Sequence, residues 1–331
     1  MTNRARWLSA TAAAALVGVA AAVPAHAQDE TLTINYIMHS STANTFWAAV
    51  NQGFMDACEQ IQADCQMLVL RNDGDLQEQL TNFNASVAQG VDGIITTLVD
   101  DTIFDDAVQA ALDAGIPVLA ANVDDTEGAA GNPRLSFVGQ DLEVAGYELA
   151  KALSEHFPAE GPIHVVIGVA DFSQSWATQR GNGVARFMEE YIAANPDREI
   201  TYEKIESGLD LSVVGSRVAA YVQSRPETTA YFDVGYWHAG AAAALRDIGV
   251  GPGEVLLAGF DLVPVVLDEM EAGYIQLTVD QQPYLQGFLP VMQLYLMKKY
   301  GLSAWDVNTG KALITPADVP TVREFADAGV R

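Results

Sequence analysis

Apolar runs and amphipathic stretches alternate along the chain from about residue 32 to about residue 300. Leu32–Met38 is an apolar run suited to a buried parallel strand, and a helical stretch runs from about Asn44 to Gln62. The pattern then predicts strand Met67–Leu70, helix Leu76–Gln89, strand Asp92–Thr97, helix Ile103–Ala114 and strand Ile116–Ala121. Connections this short between alternating strands and helices build a doubly wound parallel sheet with both faces covered. Pro117 sits at the start of its strand, where a missing N–H costs little.

A loop rich in Gly, Asp and Asn, Asp124–Pro133, interrupts the rhythm and is the first candidate boundary. After it, strand Leu135–Val138 leads into helix Leu142–His156, and the alternation restarts. Strands are predicted at Ile163–Gly168, Ile200–Ile205, Ala230–Val234, Val255–Phe260 and Ile275–Val279. Helices are predicted at Arg180–Ala194, Leu211–Gln223, His238–Ile248, Pro264–Glu271 and Tyr284–Tyr300. The result is two similar α/β units followed by a tail, with no tandem repeat and no low-complexity linker. In such sheets ligands bind beyond the carboxyl ends of the strands, so the residues there are the ones to inspect.

Residues 1–27 stand outside this pattern. Arg4 and Arg6 form a positive start, a small and apolar run follows from Leu8 to Val23, and Ala25-His26-Ala27 offers a cleavage site before Gln28. That order is a secretory signal peptide, with an apolar core shorter than the roughly 20 residues of a spanning helix. A retained N-terminal anchor is the alternative. Cys58 and Cys65 fit an oxidising compartment, as a short disulfide closing a helix–strand turn or as two small buried residues.

Composition narrows the partners. The 331 residues carry 17 Lys+Arg against 43 Asp+Glu, a formal net charge of −26, and half of them are hydrophobic. The length suits two domains of roughly 150 residues. Charge of this sign repels phosphate backbones and anionic membrane surfaces, which excludes nucleic acid and lipid as primary partners.

Signatures of catalysis are sparse. There is no G-x-S-x-G, no phosphate loop and no H-E-x-x-H, and the five histidines are dispersed, so no metal site is expected. Gly181-Asn182-Gly183 has the start of a dinucleotide loop, but Arg186 takes the place of its third glycine. Asn72-Asp73-Gly74-Asp75 reads as a turn and helix cap rather than a calcium loop, because no Glu follows at the required spacing.

The post-strand loops carry a different chemistry. They hold His39 to Trp47, Asn122-Val123-Asp124-Asp125, Asp171 to Trp176 and Val234 to His238, then Asp261 and Asp280-Gln281-Gln282. Aromatic rings interleaved with amides and carboxylates suit a neutral polyhydroxylated ligand. Rings cover its C–H faces, and planar polar groups pair with adjacent hydroxyls.

Ile116-Pro117-Val118, Gly259-Phe260-Asp261 and the run Thr278 to Gly287 resemble the ribose/galactose-type periplasmic binding proteins, the substrate-binding subunits of sugar ABC transporters. The resemblance covers essentially the whole mature chain. It implies an α/β fold of two Rossmann-like lobes joined by a three-stranded hinge, with the ligand in the cleft between them. By that analogy the first lobe is residues 28–139 plus 282–305, and the second is 140–281 plus 306–331. The family's aromatic loop falls on Asn44, Phe46 and Trp47, with Thr45 in place of a proline. Its first-lobe Asp falls on Asn122, its second-lobe Asp on Asp261 and its hinge glutamine on Gln281. The ligand-binding Arg of ribose binders falls on Thr178, leaving Arg180 at a neighbouring, more often structural, position. Its Asn-Asp pair is replaced by Val234-Gly235. Trp176, Tyr236 and Trp237 complete the candidate ligand set.

The resemblance implies a monomeric periplasmic protein that captures a neutral monosaccharide or polyol, other than ribose, by hinge closure. It would deliver the ligand to the permease of an ABC importer without any cofactor. A binding component for a signal molecule or nucleoside, working with a chemoreceptor, is the alternative. An exported hydrolase using Asp124 or Asp261 as general base is a further one. A repressor on this fold is disfavoured, because a signal peptide stands where DNA-binding helices are expected.

Overall fold

The computed structural model describes Met1, residues 31–310 and residues 312–331; the signal peptide expected at 1–27 therefore lies outside the described residues apart from Met1. The chain opens with β1 (Thr33–Ile37), α1 (Trp47–Ile61), β2 (Asp64–Leu68), α2 (Leu76–Gln89), β3 (Gly93–Thr96), α3 (Asp105–Asp113), β4 (Val118–Asn122) and β5 (Ser136–Gly139). Their central strands are apolar because both faces are covered; β3 and β4 are buried at every position. It crosses to a second unit of α4 (Leu142–Ser154), β6 (Ile163–Val169), α5 (Ser175–Ala194), β7 (Ile200–Glu206), α6 (Leu211–Ser224), β8 (Thr228–Asp233), α7 (His238–Asp247), β9 (Leu256–Phe260), α8 (Pro264–Glu271) and β10 (Ile275–Asp280). A return crossing leads to α9 (Pro283–Tyr300) and β11 (Val307–Asn308), and a last one to β12 (Ala312–Ile314) and α10 (Val319–Asp327).

The two sheets have matching strand orders, β11-β5-β4-β3-β1-β2 and β12-β10-β9-β8-β6-β7. All their pairings are parallel except β10 with β12. The helices that follow two of the crossings dock in the same way in both lobes. On α9, a Cβ at Gly287 would meet Val50 O at 2.0 Å, and a Cβ at Gly53 of α1 would meet Tyr284 O at 2.0 Å. On the other side, Gly146 of α4 and Gly183 of α5 make the corresponding approach, 2.1 Å from Arg180 O and 2.0 Å from Glu143 O. Only glycine allows backbones this close. Each crossing is thereby packed against the helix that starts at Trp47 or Ser175.

Three expectations need correction. The second strand begins at Asp64, not Met67, and ends at Leu68, because it is an edge strand with alternating exposure whose register is set by Thr33 facing Asp64. Helix α5 begins at Ser175 rather than Arg180, with Thr178 Oγ1 donating back to Ser175 O at 3.0 Å. The tail does not belong wholly to the second lobe. β11 extends the first sheet beside β5, held by Asp306, which accepts from Phe137 N–H at 2.8 Å and pairs with Arg134 at 2.9 Å. The last crossing therefore lies at Thr309–Gly310, after residue 305.

Cys58 and Cys65 form a disulfide that ties the end of α1 to β2. Asp75 caps α2 by accepting from Glu78 N–H at 3.0 Å, and Gly74 turns with φ 75°, so Asn72–Asp75 is a cap and turn. Among the described residues, no helix is long and apolar enough to cross a membrane and no group of three metal-ligating side chains converges.

Candidate ligand cleft

The carboxyl ends of both sheets face one cleft. Beyond β1, Asn44 Oδ1 accepts from Phe46 N–H at 3.1 Å, a turn that starts α1 with Phe46 and Trp47 buried against the cleft. Beyond β6, Asp171 Oδ1 accepts from Ser173 N–H at 2.7 Å, and α5 then starts at Ser175 and carries Trp176. The rings form a continuous row: Phe46 to Trp47 at 5.4 Å, Trp47 to His39 at 5.3 Å, His39 to Trp176 at 6.3 Å, Trp176 to Trp237 at 6.1 Å and Trp237 to Tyr236 at 5.0 Å. The step from His39 to Trp176 passes from the first lobe to the second, and Ser175 N–H reaches Val99 O at 3.4 Å beside it. The lobes are in contact across the cleft, a closed arrangement.

Polar groups converge on the same space. Asn122 and Asp261 end β4 and follow β9, and both hold left-handed backbone, with φ 66° and 74°. Non-glycine residues rarely adopt that conformation, which Asn and Asp tolerate best, and it clusters at ligand sites. Asp261 accepts from Gln281 Nε2 at 2.6 Å, and Asn122 Nδ2 donates to Gln286 Oε1 at 2.9 Å. Arg180 donates to Val234 O at 2.8 Å and to Gln140 Oε1 at 3.2 Å, with its guanidinium 4.0 Å above the Phe260 ring. It thus braces the loop after β8 while its Nε stays buried at the cleft. Neither that Nε nor Trp176 Nε1 has a hydrogen-bond partner among the described residues. Buried donors without partners are costly unless a ligand accepts from them.

Burial pushes the Asp261 carboxyl up to about 6, partly offset by the nearby Arg180 and the Gln281 hydrogen bond. Asp233, at the end of β8, is pushed up to about 7 by burial although Tyr231 and Gly235 N–H both donate to it. Burial lowers Arg180 to about 10, opposed by these two carboxylates. His39 is lowered to about 4 by burial, so it is a neutral ring at pH 7.

In this closed arrangement these side chains enclose only about 40 Å³ of free space. All ten candidates, Asn44, Phe46, Trp47, Asn122, Trp176, Arg180, Tyr236, Trp237, Asp261 and Gln281, line it. His39, Val123, Leu142 and Gly235 line it too and were not singled out. The signal for His39 was its place directly after the first strand; Leu142 looked like the first core residue of a helix. Asp124 turns away from the cleft onto Arg134, at 3.0 Å, so it is not placed as a general base there.

Residues 34–301 match the model of the periplasmic binding protein domain. The chain belongs to that family. A xylose/arabinose-binding protein of Sulfolobus acidocaldarius is 27% identical over 311 residues, 90% of this chain and 73% of that protein. A carbohydrate transporter of Acidothermus cellulolyticus, solved with myo-inositol, is 29% identical and superposes with a TM-score of 0.77 over 91% of this chain and all of that one. A solute-binding protein of Actinobacillus succinogenes, solved with D-allose, shares the fold at 23% identity, with a TM-score of 0.76 over 88% of this chain and all of that one. The family is one of periplasmic binding proteins, and the first two of these likenesses are to a sugar-binding protein and a carbohydrate transporter.

Proposed function

We propose that this binding protein captures a neutral monosaccharide or polyol in the cleft and delivers it from the periplasm to the permease of an ABC importer. The observation that carries the reading is the cleft wall itself. A row of rings runs across it, and acceptors (Asn122, Asp261) and free donors (Trp176 Nε1, Arg180 Nε) face the same small space. Rings and paired polar groups of this kind match a compact molecule with alternating C–H and O–H surface. Relatives that bind xylose, arabinose and myo-inositol support the class. A neutral ligand suits a site whose one cation already faces two carboxylates.

Capture follows a two-state closure. Ligand resting on one lobe favours the closed form only through the contacts that the other lobe adds. The ten candidates among the lining residues are the proposed contacts, and export through the segment at 1–27 supplies the compartment. Thermal shift of the mature protein against pentoses, hexoses, deoxysugars, inositols and nucleosides tests this. Ligand at 100 times its dissociation constant adds about 2.7 kcal/mol, a rise of several degrees. One sharp response from a sugar or polyol recovered chemically unchanged is the expected result. A response confined to nucleosides, or turnover of the ligand, overturns it.

A further inference from the structure

Gln286, in the first turns of α9, is fully buried and does not line the cleft. Its carboxamide nevertheless touches both lobes' candidate contacts. Oε1 accepts from Asn122 Nδ2 at 2.9 Å, while Nε2 faces Gln281 O at 3.0 Å, Gln281 Oε1 at 3.3 Å and Thr309 Oγ1 at 3.1 Å. Gln281 Nε2 in turn donates to Asp261 Oδ1 at 2.6 Å. A backbone carbonyl can only accept, so the Gln281 carbonyl fixes which end of the Gln286 amide is nitrogen. The oxygen must then face Asn122, and Asn122 must offer its N–H₂ to it. One hydrogen-bond chain of a single polarity thus runs from the end of β4, through α9 and the return crossing, to the end of β9.

We infer that Gln286 is a positioning residue that orients the amides of Asn122 and Gln281 before any ligand arrives. With one of its two N–H groups held by Gln286, the Asn122 amide is fixed in orientation, and its Oδ1 is the acceptor left for the cleft. The first lobe therefore presents an acceptor at this point and selects a ligand hydroxyl that donates there. That consequence for the ligand rests on the sugar reading above. The orientation itself does not, and it is tested without ligand.

The test is the unfolding midpoint of the ligand-free mature protein and of N122D, Q286L and the double variant, each at pH 8 and pH 5. Asp tolerates the left-handed backbone at residue 122 as Asn does, so the swap changes chemistry rather than conformation. The ionised carboxyl of N122D would set acceptor against acceptor at Gln286; once protonated it can donate instead. The titratable side chains lining the cleft are His39, Arg180, Tyr236 and Asp261, with Asp233 beside Arg180 and Asp280 beside Asp261. Asp124 on the same loop is paired with Arg134, and α9 has its only charges, Lys298 and Lys299, in its last turn. Because Asp261 and Asp233 also titrate in this range, each variant is compared with the parent at the same pH.

The expected result is a midpoint about 5 °C below the parent for N122D at pH 8. The gap should close to about 1 °C at pH 5, and N122D should cost less than half as much in the Q286L background. An equal gap at both pH values, or strictly additive effects, overturns the assignment. The pH arm needs N122D alone, so failure of Q286L to fold leaves it decisive. N122D unfolded at pH 8 but folded at pH 5 supports the assignment, and unfolded at both overturns it.

Discussion

Asn122 and Asp261 occupy matching strands in the two sheets and share a left-handed backbone, yet their surroundings differ in kind. Asn122 is neutral and anchored by another amide; Asp261 is a buried carboxylate facing Arg180, with Asp233 behind it. The first lobe's wall is rings and amides, with His39 held neutral. The second lobe's wall carries the charged groups of the cleft. The same topology therefore supplies two different services. On the function proposed above, the first lobe would be an uncharged surface for the ligand, and the second would supply charge-assisted hydrogen bonds to it in the closed form.

The sharpest way to break this comparison is to delete the matching residues. With the sugar or polyol returned by the screen, D261A should weaken binding about 100-fold, since it removes a charge-assisted bond, leaves Gln281 Nε2 without its acceptor and takes a carboxylate from beside Arg180. N122A should cost about 3- to 10-fold, the worth of a neutral bond. Calorimetric titration of both variants measures the ratio. Equal losses would mean that the lobes are equivalent after all.

Titration provides the next effect in size. Affinity that depends on ionised Asp261, at about 6, should be flat above pH 7 and about tenfold weaker at pH 5, and D261N should abolish the dependence. The carboxylate share of the free protein's stability should move the other way. Asp233 and Asp261 are held above their unfolded range, so the folded chain binds protons that the unfolded chain lacks. Their contribution is present at acid pH and lost as pH rises through about 6 to 7. His39 and His238, lowered to about 4 and 3, contribute stability above 6.5 that is lost as pH falls below it. Between pH 8 and 6.5 the carboxylates gain about 1 kcal/mol, while the histidines, half protonated in the unfolded chain at pH 6.5, lose nearly as much, so the parent should change little. Denaturant unfolding of the parent and D233N/D261N at the two pH values isolates the carboxylate share: on acidification the parent should gain about 1 kcal/mol relative to the variant, and no relative gain would refute the buried charge assigned to the second lobe.

Trp47 and Trp176 extend the comparison to the rings. Each sits at the start of the helix after its lobe's first strand, but Trp176 Nε1 is buried without a partner among the described residues. W176F keeps a ring and removes that donor, so affinity should fall about 5-fold. W47F should stay within about 2-fold, because that ring is expected to serve by its face.

How much of this could be read from the sequence depends on where the determining contacts lie. The ends of α2 were legible because its signals are local: the Asp75 cap and the left-handed Gly90. Buried parallel strands were legible as apolar runs. Edge strand β2 alternates in exposure, and β11 and β12 are two and three residues long, so their identity comes from a partner strand rather than from their own pattern. Asn122, Asp261 and Gln281 reach the cleft from strand ends, which alternation marks, whereas Trp47, Trp176 and Arg180 reach it from the first turns of α1 and α5. Gln286 was invisible for the opposite reason: it reads as an ordinary helix residue, and its partner Asn122 is 164 positions away.

The smallest effect on binding is expected where the lobes differ farthest from the cleft. The α1–β2 connection of the first lobe is closed by Cys58–Cys65, whereas the matching α5–β7 connection is held by hydrogen bonds, Asn195 Nδ2 to Tyr191 O at 2.8 Å and Arg198 Nε to Gly161 O at 2.7 Å. The disulfide closes a short loop, worth about 2 kcal/mol in the chain-entropy account. C58S/C65S should therefore lower the melting midpoint by several degrees and leave the dissociation constant unchanged. Calorimetry of the reduced and oxidised protein, with and without ligand, separates the two quantities. If the first lobe is the resting surface and the second the clasp, loosening the far end of α1 costs stability without touching the contacts that close the cleft. A weakened affinity would instead mean that the position of Trp47, at the other end of the same helix, depends on that bond.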